Sequence, residues 1–207
     1  MTNGDLIHEL SSGGYLRSPL LVAAFQTADR AAFVPPEYKT EAYGNYPLPL
    51  GHGQTISQPL TVAFMLELLE PKAGEKVLDV GCGSGWQTAL LAVAVGENGH
   101  VVAIERIPEL AALARTNLAP FGFIEKGSVK VLEGDGSLGC PAEAPFDKII
   151  AGASAKEIPD AWKAETKVGG RIVAPVGETV VVLDKVGAEE WKERRYPGFV
   201  FVPLVAG

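Results

Sequence analysis

Glycines at 81, 83 and 85, directly behind the apolar run Val77-Leu78-Asp79-Val80, constrain this chain more than any other feature. Alternate glycines permit a tight turn and a close approach of ligand to backbone, as a strand passing straight into a helix requires. The flanking segments fit that reading, with Lys76–Val80 as a short strand and Trp86–Val95 as an apolar helix. Strands over Val101–Glu105, Val129–Leu132, Lys148–Ala151 and Arg171–Ala174 alternate with helices over Pro108–Leu118 and Ile158–Thr166. Strands separated by helices make βαβ units. The expected fold is therefore α/β, a doubly wound and mostly parallel sheet with helices on both faces. Two later extended runs, Thr179–Val186 and Phe199–Leu204, are expected to pair antiparallel at the C-terminal edge.

The N-terminal part reads differently. Pro19–Phe25 places apolar residues on one helical face, with Ser18 as N-cap. Pro35-Pro36 is expected to stop regular structure, and residues 41–59 form a long loop before a helix that runs from Pro59 to the stop at Pro71. Long ordered loops in compact domains often carry function. One domain is expected over 1–207: N-terminal helices and loop to residue 59, a ligand-binding core over 60–177, and C-terminal strands over 178–207.

Composition narrows the function classes. Apolar residues make up 47% of the 207, enough for a core, yet no apolar stretch approaches the ~20 residues that span a bilayer. A net charge of −7 disfavours sequence-independent contact with nucleic acid. Two lone cysteines (Cys82, Cys140) and three scattered histidines lack metal-ligand spacing, so no metal is expected. The N-terminus lacks the basic-then-apolar order of a signal peptide. A monomer in the cytoplasm, without membrane or nucleic-acid partners, is the expectation.

Three acids fall in register with the glycine turn. Asp79 ends the first strand, Glu105 ends the second, 20 residues after Gly85, and Asp135-Gly136 follows the third. Open α/β sheets bind ligands at such strand ends, and an acid at the end of the second strand can accept from two ribose hydroxyls. Asp135 is placed to meet an adenine ring. The dinucleotide fingerprint needs a wider final glycine spacing, and the lysine of a Walker loop is absent. Asp79 would repel a pyrophosphate but could orient an ammonium. Ribose, adenine and an amino-acid tail together describe S-adenosyl-L-methionine. The Asp79-x-Gly81-x-Gly83-x-Gly85 pattern resembles the first motif of the Rossmann-like class I methyltransferases, and Glu105 and Asp135 match their next acidic positions. The rival from another class is an NAD-dependent oxidoreductase.

The N-terminal loop narrows the acceptor. Residues 33–37 (FVPPE), 42–43 (AY), 47–51 (PLPLG) and 53–59 (GQTISQP) resemble the protein-L-isoaspartate O-methyltransferase family. The similarity continues through 134–136 (GDG), 169–173 (GGRIV), 175–177 (PVG) and 201–204 (FVPL), and so spans nearly the whole chain. The resemblance implies methyl transfer from S-adenosyl-L-methionine to the free α-carboxylate of L-isoaspartyl residues in damaged peptides and proteins, opening repair through a succinimide. It implies Ser57 as the active-site serine, hydrogen-bonded to the acceptor. Gln54, Thr55, Ile56, Asp79, Gly81, Gly83, Gly85, Glu105, Asp135 and Gly136 would bind the cofactor. Thr55, Ile56, Ser57, Val202 and Leu204 would meet the peptide. The competing reading of Ser57 is a helix cap for the segment after Pro59.

Departures from the family pattern are Asn45 in place of its usual Asp, residues 151–157, Cys82 and Trp86 in the loop, and an end three residues after Leu204 without an extension over the cofactor. Cys82 and Trp86 imply no change of chemistry; the other departures leave open a methyltransferase for another aspartyl or carboxylate acceptor. A non-catalytic cofactor-binding module is the further alternative.

Overall fold

A computed structural model describes residues 1–205. Its main sheet has seven strands: β3 (Lys76–Val80), β4 (His100–Glu105), β5 (Val129–Glu133), β6 (Phe146–Ala151), β7 (Thr166–Val176), β8 (Thr179–Lys185) and β9 (Trp191–Pro197). They lie in the order β5-β4-β3-β6-β7-β8-β9. The first five positions are parallel, whereas β8 and β9 add antiparallel to β7. Strand order reverses between β3 and β6, and such a reversal opens a crevice beyond the strand ends.

Side-chain alternation sorts the core. Val77, Val101, Ala103 and Val129 face one cluster, built with helices α1 (Asn3–Ser12), α2 (Pro19–Thr27), α3 (Pro59–Leu69), α4 (Trp86–Val95) and α5 (Pro108–Leu118). Leu78, Val80, Val102 and Ile104 face the other, closed by α6 (Asp160–Glu165) through the fully buried Trp162. Helices cover both faces as expected, but unequally. Each fully buried Leu or Phe contributes roughly 1.5–3 kcal/mol, so the larger cluster dominates stability.

Three local expectations change. The C-terminal edge pair is β8 with β9, formed by the charged stretch Trp191–Pro197 instead of Phe199–Leu204. Backbone bonds carry its pairing, with Arg194 also bridging to Asp184 at 3.2 Å; Lys192, Glu193, Arg194 and Arg195 stay exposed, and charge on an edge strand blocks pairing with other chains. Phe199–Leu204 instead crosses toward the crevice: Ser154 donates its N–H to the Val202 carbonyl, and Leu204 donates to the Ser154 carbonyl, both at 2.8 Å. Phe199 stacks on Phe64 with ring centroids 5.1 Å apart, an apolar anchor that a period-two reading takes for a strand. Within 41–59 lies a hairpin, β1 (Leu48–Gly51) and β2 (Gln54–Ile56), turning at His52 and Gly53. Pro35-Pro36 opens a 3-10 helix over Pro36–Glu41, where proline's fixed φ suits the first turn.

Candidate active site

The crevice lies at the carboxyl ends of β3, β4 and β6. Its floor is the turn from β3 into α4, and its rim is built from β2, the start of α3 and the segment 202–205. Including its open mouth, it encloses about 780 Å³. Gln54, Thr55, Ile56, Ser57, Gly81, Gly83, Glu105, Gly136, Val202 and Leu204 all line it. Asp79 and Gly85 are buried behind the wall, and the half-buried Asp135 adjoins Gly136.

Glu105 ties the floor together. One carboxylate oxygen accepts from the Gly83 N–H at 2.9 Å and the other from the Ile107 N–H at 3.0 Å. A carboxylate has about four lone-pair sites, so capacity remains for two hydroxyl donors. Gly136, in the crevice lining, packs directly on β3: a Cβ there would stand 2.5 Å from Val80 Cγ1. Gly85 acts differently, adopting φ +85° as the residue before α4, and a Cβ on it would lie 3.3 Å from Ala114. It lets α5 pack closely beneath the turn and offers the ligand no surface.

The structure corrects the direct ligand contact expected of Asp79. Asp79 has no exposed surface; its oxygens accept from Gln87 Nε2 at 2.7 Å and Thr88 Oγ1 at 2.6 Å. It shares the Val77 face of β3 and so points at α4 instead of beyond the strand end. Burial lifts its pKa to about 6, against the opposing hydrogen bonds from Thr88 and Gln87, with Glu105 adding repulsion. Its product is the orientation of Gln87, whose side chain does reach the crevice. Asp135 accepts from the N–H and hydroxyl of Ser137 at 2.9 and 2.6 Å, capping the short 3-10 turn that presents Gly136.

Ser57 lies on the opposite wall, half-buried, between β2 and α3. The residue flanking α3 is Gln58, and no side chain of that residue caps the helix. Ser57 Oγ makes no hydrogen bond within the described residues, so capping does not account for it. Asn45 does cap: its Oδ1 accepts from the Leu60 N–H at 3.1 Å while its Nδ2 donates to Glu9 at 3.0 Å. The two cysteines fit no nucleophilic role, because burial raises both thiol pKa values, that of Cys82 steeply.

The sequence reading passed over Arg30, a completely buried guanidinium behind Ser57. It stands as a lone cation in the stretch Ala28-Asp29-Arg30-Ala31-Ala32, where a charged residue reads as an exposed turn, so nothing in the local pattern marks it as buried. Burial lowers its pKa to about 10, which leaves it charged near neutrality. Trp86, in the crevice wall, packs edge-on to Phe25 and donates Nε1–H to the Ala28 carbonyl at 2.9 Å. That bond anchors α4 to the N-terminal helices and explains an indole at this loop position.

Comparison with known proteins decides the family. The sequence profile of Protein-L-isoaspartate(D-aspartate) O-methyltransferase matches residues 1–207. The chain belongs to the protein-L-isoaspartate(D-aspartate) O-methyltransferase family. It is similar to protein-L-isoaspartate O-methyltransferase of Methanopyrus kandleri, with 44% identity over 97% of this chain and 89% of that protein. The Aeropyrum pernix protein of the same name is 45% identical over 97% of this chain and 78% of its own length. A solved protein-L-isoaspartate O-methyltransferase superposes with a TM-score of 0.89 at 25% identity, covering 100% of this chain and 66% of that one. A Plasmodium falciparum chain solved in complex with S-adenosyl-L-homocysteine shares the fold, with a TM-score of 0.89 at 23% identity and 100% coverage of both chains. Membership brings the family's reaction with it, transfer of a methyl group from S-adenosyl-L-methionine to isoaspartyl residues. The oxidoreductase alternative falls away. Among the described residues no helix is long and apolar enough to cross a membrane.

Proposed function

We propose that this crevice holds the methyl donor against the glycine turn and the isoaspartyl α-carboxylate against Ser57. What carries the reading is Ser57 Oγ, an uncommitted donor on the wall facing the glycine turn. S-adenosyl-L-methionine supplies a methyl group on a positively charged sulfur. Glu105 accepts from the ribose hydroxyls, the bare surface of Gly136 receives the adenine, and Asp79 serves by holding Gln87 toward the amino-acid tail. Gly81 and Gly83 bring backbone to the ligand, Gly85 seats the turn on α5, and Asp135 fixes the 3-10 turn. Gln54, Thr55 and Ile56 close the wall on the cofactor side.

The acceptor requires no base, since a carboxylate of pKa ~4 is already ionised near neutrality. Ser57 donates a hydrogen bond to one carboxylate oxygen and leaves the other aligned with the methyl group, while Thr55, Ile56, Val202 and Leu204 exclude water around it. The carbon–sulfur bond breaks as the oxygen–carbon bond forms, giving a methyl ester and S-adenosyl-L-homocysteine. After release, the following backbone amide nitrogen attacks the ester carbonyl and expels methanol, and the resulting succinimide hydrolyses partly to normal aspartate. The protein acts in this reading as a single-domain monomer in the cytoplasm, on peptide and protein substrates and not on nucleic acid.

The test uses methyl-labelled S-adenosyl-L-methionine and two peptides that differ only in a normal or an isoaspartyl linkage. Label enters the isoaspartyl peptide alone, and Ser57→Ala lowers kcat/KM by about 10–100-fold, the worth of a hydrogen bond to a charged group. Label on neither peptide, with S-adenosyl-L-homocysteine still bound, would move the acceptor to another carboxylate.

A further inference from the structure

The loop that carries Ser57 has almost no regular structure to hold it. Between Glu41 and Pro59 only the short hairpin β1–β2 is ordered by its own backbone pairing. Tyr43 bonds to Asp29, and Asn45 to Glu9 and Leu60, but the side chain that gathers both ends of the loop is Arg30. Arg30 Nη1 donates to the carbonyls of Ala42 at 2.8 Å and Gly44 at 3.1 Å. Arg30 Nη2 donates to the carbonyls of Tyr46 at 3.0 Å and Ser57 at 3.1 Å, and reaches that of Ile56 at 3.5 Å. The face of the guanidinium lies 5.4 Å from the Trp86 ring centroid, and Trp86 lines the crevice beside the glycine turn.

A buried cation is normally matched by a carboxylate. Arg30 pairs with none among the described residues, and its Nε is buried with no acceptor at all. Its charge is solvated by backbone carbonyls and one aromatic face, an arrangement costly in desolvation. A purely structural clamp would be served by an uncharged donor at lower cost. A planar fork of fixed shape does something more: it draws carbonyls from both ends of the loop to one point and so sets where Ser57 stands.

Building on the assignment of Ser57 to the acceptor, we propose that Arg30 is the positioning residue of the acceptor site. Its fork sets the Ser57 backbone, so that the hydroxyl meets the isoaspartyl carboxylate in line with the methyl group. Arg30 touches neither substrate nor cofactor and acts through Ser57. The cofactor side depends on it less, because Trp86 is held independently by Ala28 and Phe25.

The experiment compares Arg30→Lys and Arg30→Met with the native protein and Ser57→Ala. Labelled transfer to the isoaspartyl peptide reports the acceptor site, and the S-adenosyl-L-homocysteine dissociation constant reports the cofactor site. Lysine keeps the charge but cannot span the carbonyls, so both Arg30 variants lose about 10–100-fold in kcat/KM for the peptide. Cofactor-product affinity stays within about twofold of native, and Arg30→Lys in the Ser57→Ala background costs no more than about twofold further. Native peptide kinetics in Arg30→Lys would overturn the proposal. So would fully additive losses in the double variant, or parallel loss of product binding in both Arg30 variants, which would make Arg30 a support of the whole fold. Failure of the native protein to label the isoaspartyl peptide would be a separate result, against the acceptor assignment itself.

Discussion

Asp79 sits with no exposed surface between two donors, and burial still lifts its pKa to about 6, above the ordinary carboxylate range. An acid whose folded pKa is raised contributes stability that is complete below the unfolded pKa and is lost as pH rises through the folded one. Above pH 6 the ionised group therefore costs about 3 kcal/mol relative to its protonated form. An asparagine at this position removes the titration, while Gln87 can turn its amide oxygen toward the new NH2. The Tm of the native protein relative to Asp79→Asn is accordingly expected to rise by about 5–10 °C between pH 7 and pH 4. A difference that stays flat across that range would show an ordinary, solvated carboxylate. The acid's position two residues before Gly81 was legible in the sequence. Its direction was set by strand alternation, which turns Asp79 with Val77 toward α4 and leaves the crevice to Val80 and Gly81.

At the scale of the element, α3 shows how a departure from the family pattern is absorbed. Its flanking Gln58 makes no cap, and Asn45 from the preceding loop accepts the Leu60 N–H in its place while donating to Glu9. An aspartate would still cap but would set two carboxylates within hydrogen-bond distance of each other. Asn45→Asp is expected to cost about 1 kcal/mol at pH 7, the worth of the amide donor it removes. The loss should shrink as pH falls through the carboxylate range, followed by thermal unfolding at pH 7 and pH 4.5. Peptide KM should remain native, because Asn45 lies outside the crevice wall; a large rise in KM would return this position to substrate selection. Element types were readable wherever hydrophobic period was strong, as in α3, α4 and β3. The edge strand β9 was not, because a strand with only one neighbour keeps its pairing in the backbone and leaves its side chains charged and exposed.

For the molecule as a whole, the crevice joins the loop that carries Ser57, the main sheet and the C-terminal segment, so its ligand bridges parts distant in the chain. Saturation with S-adenosyl-L-homocysteine at about 100 times its dissociation constant should add about 2.7 kcal/mol and raise Tm by about 5–10 °C, with no shift from NAD. An equal shift from both nucleotides would contradict selective binding through Glu105 and the narrow glycine turn. Alternating apolar runs, the glycine spacing and the strand-end acids determined the α/β fold and the cofactor class by themselves, because period and turn chemistry are local properties. The stretch 53–59 carried the acceptor class as a resemblance. Only the tertiary structure decided which acids face the ligand, which residue caps α3 and what holds Ser57. Those outcomes depend on contacts such as Arg30 with Ser57 and Asn45 with Leu60, made by side chains reaching across 15 to 27 positions of chain. No periodicity marks such pairs, since each is a single residue whose partner is backbone.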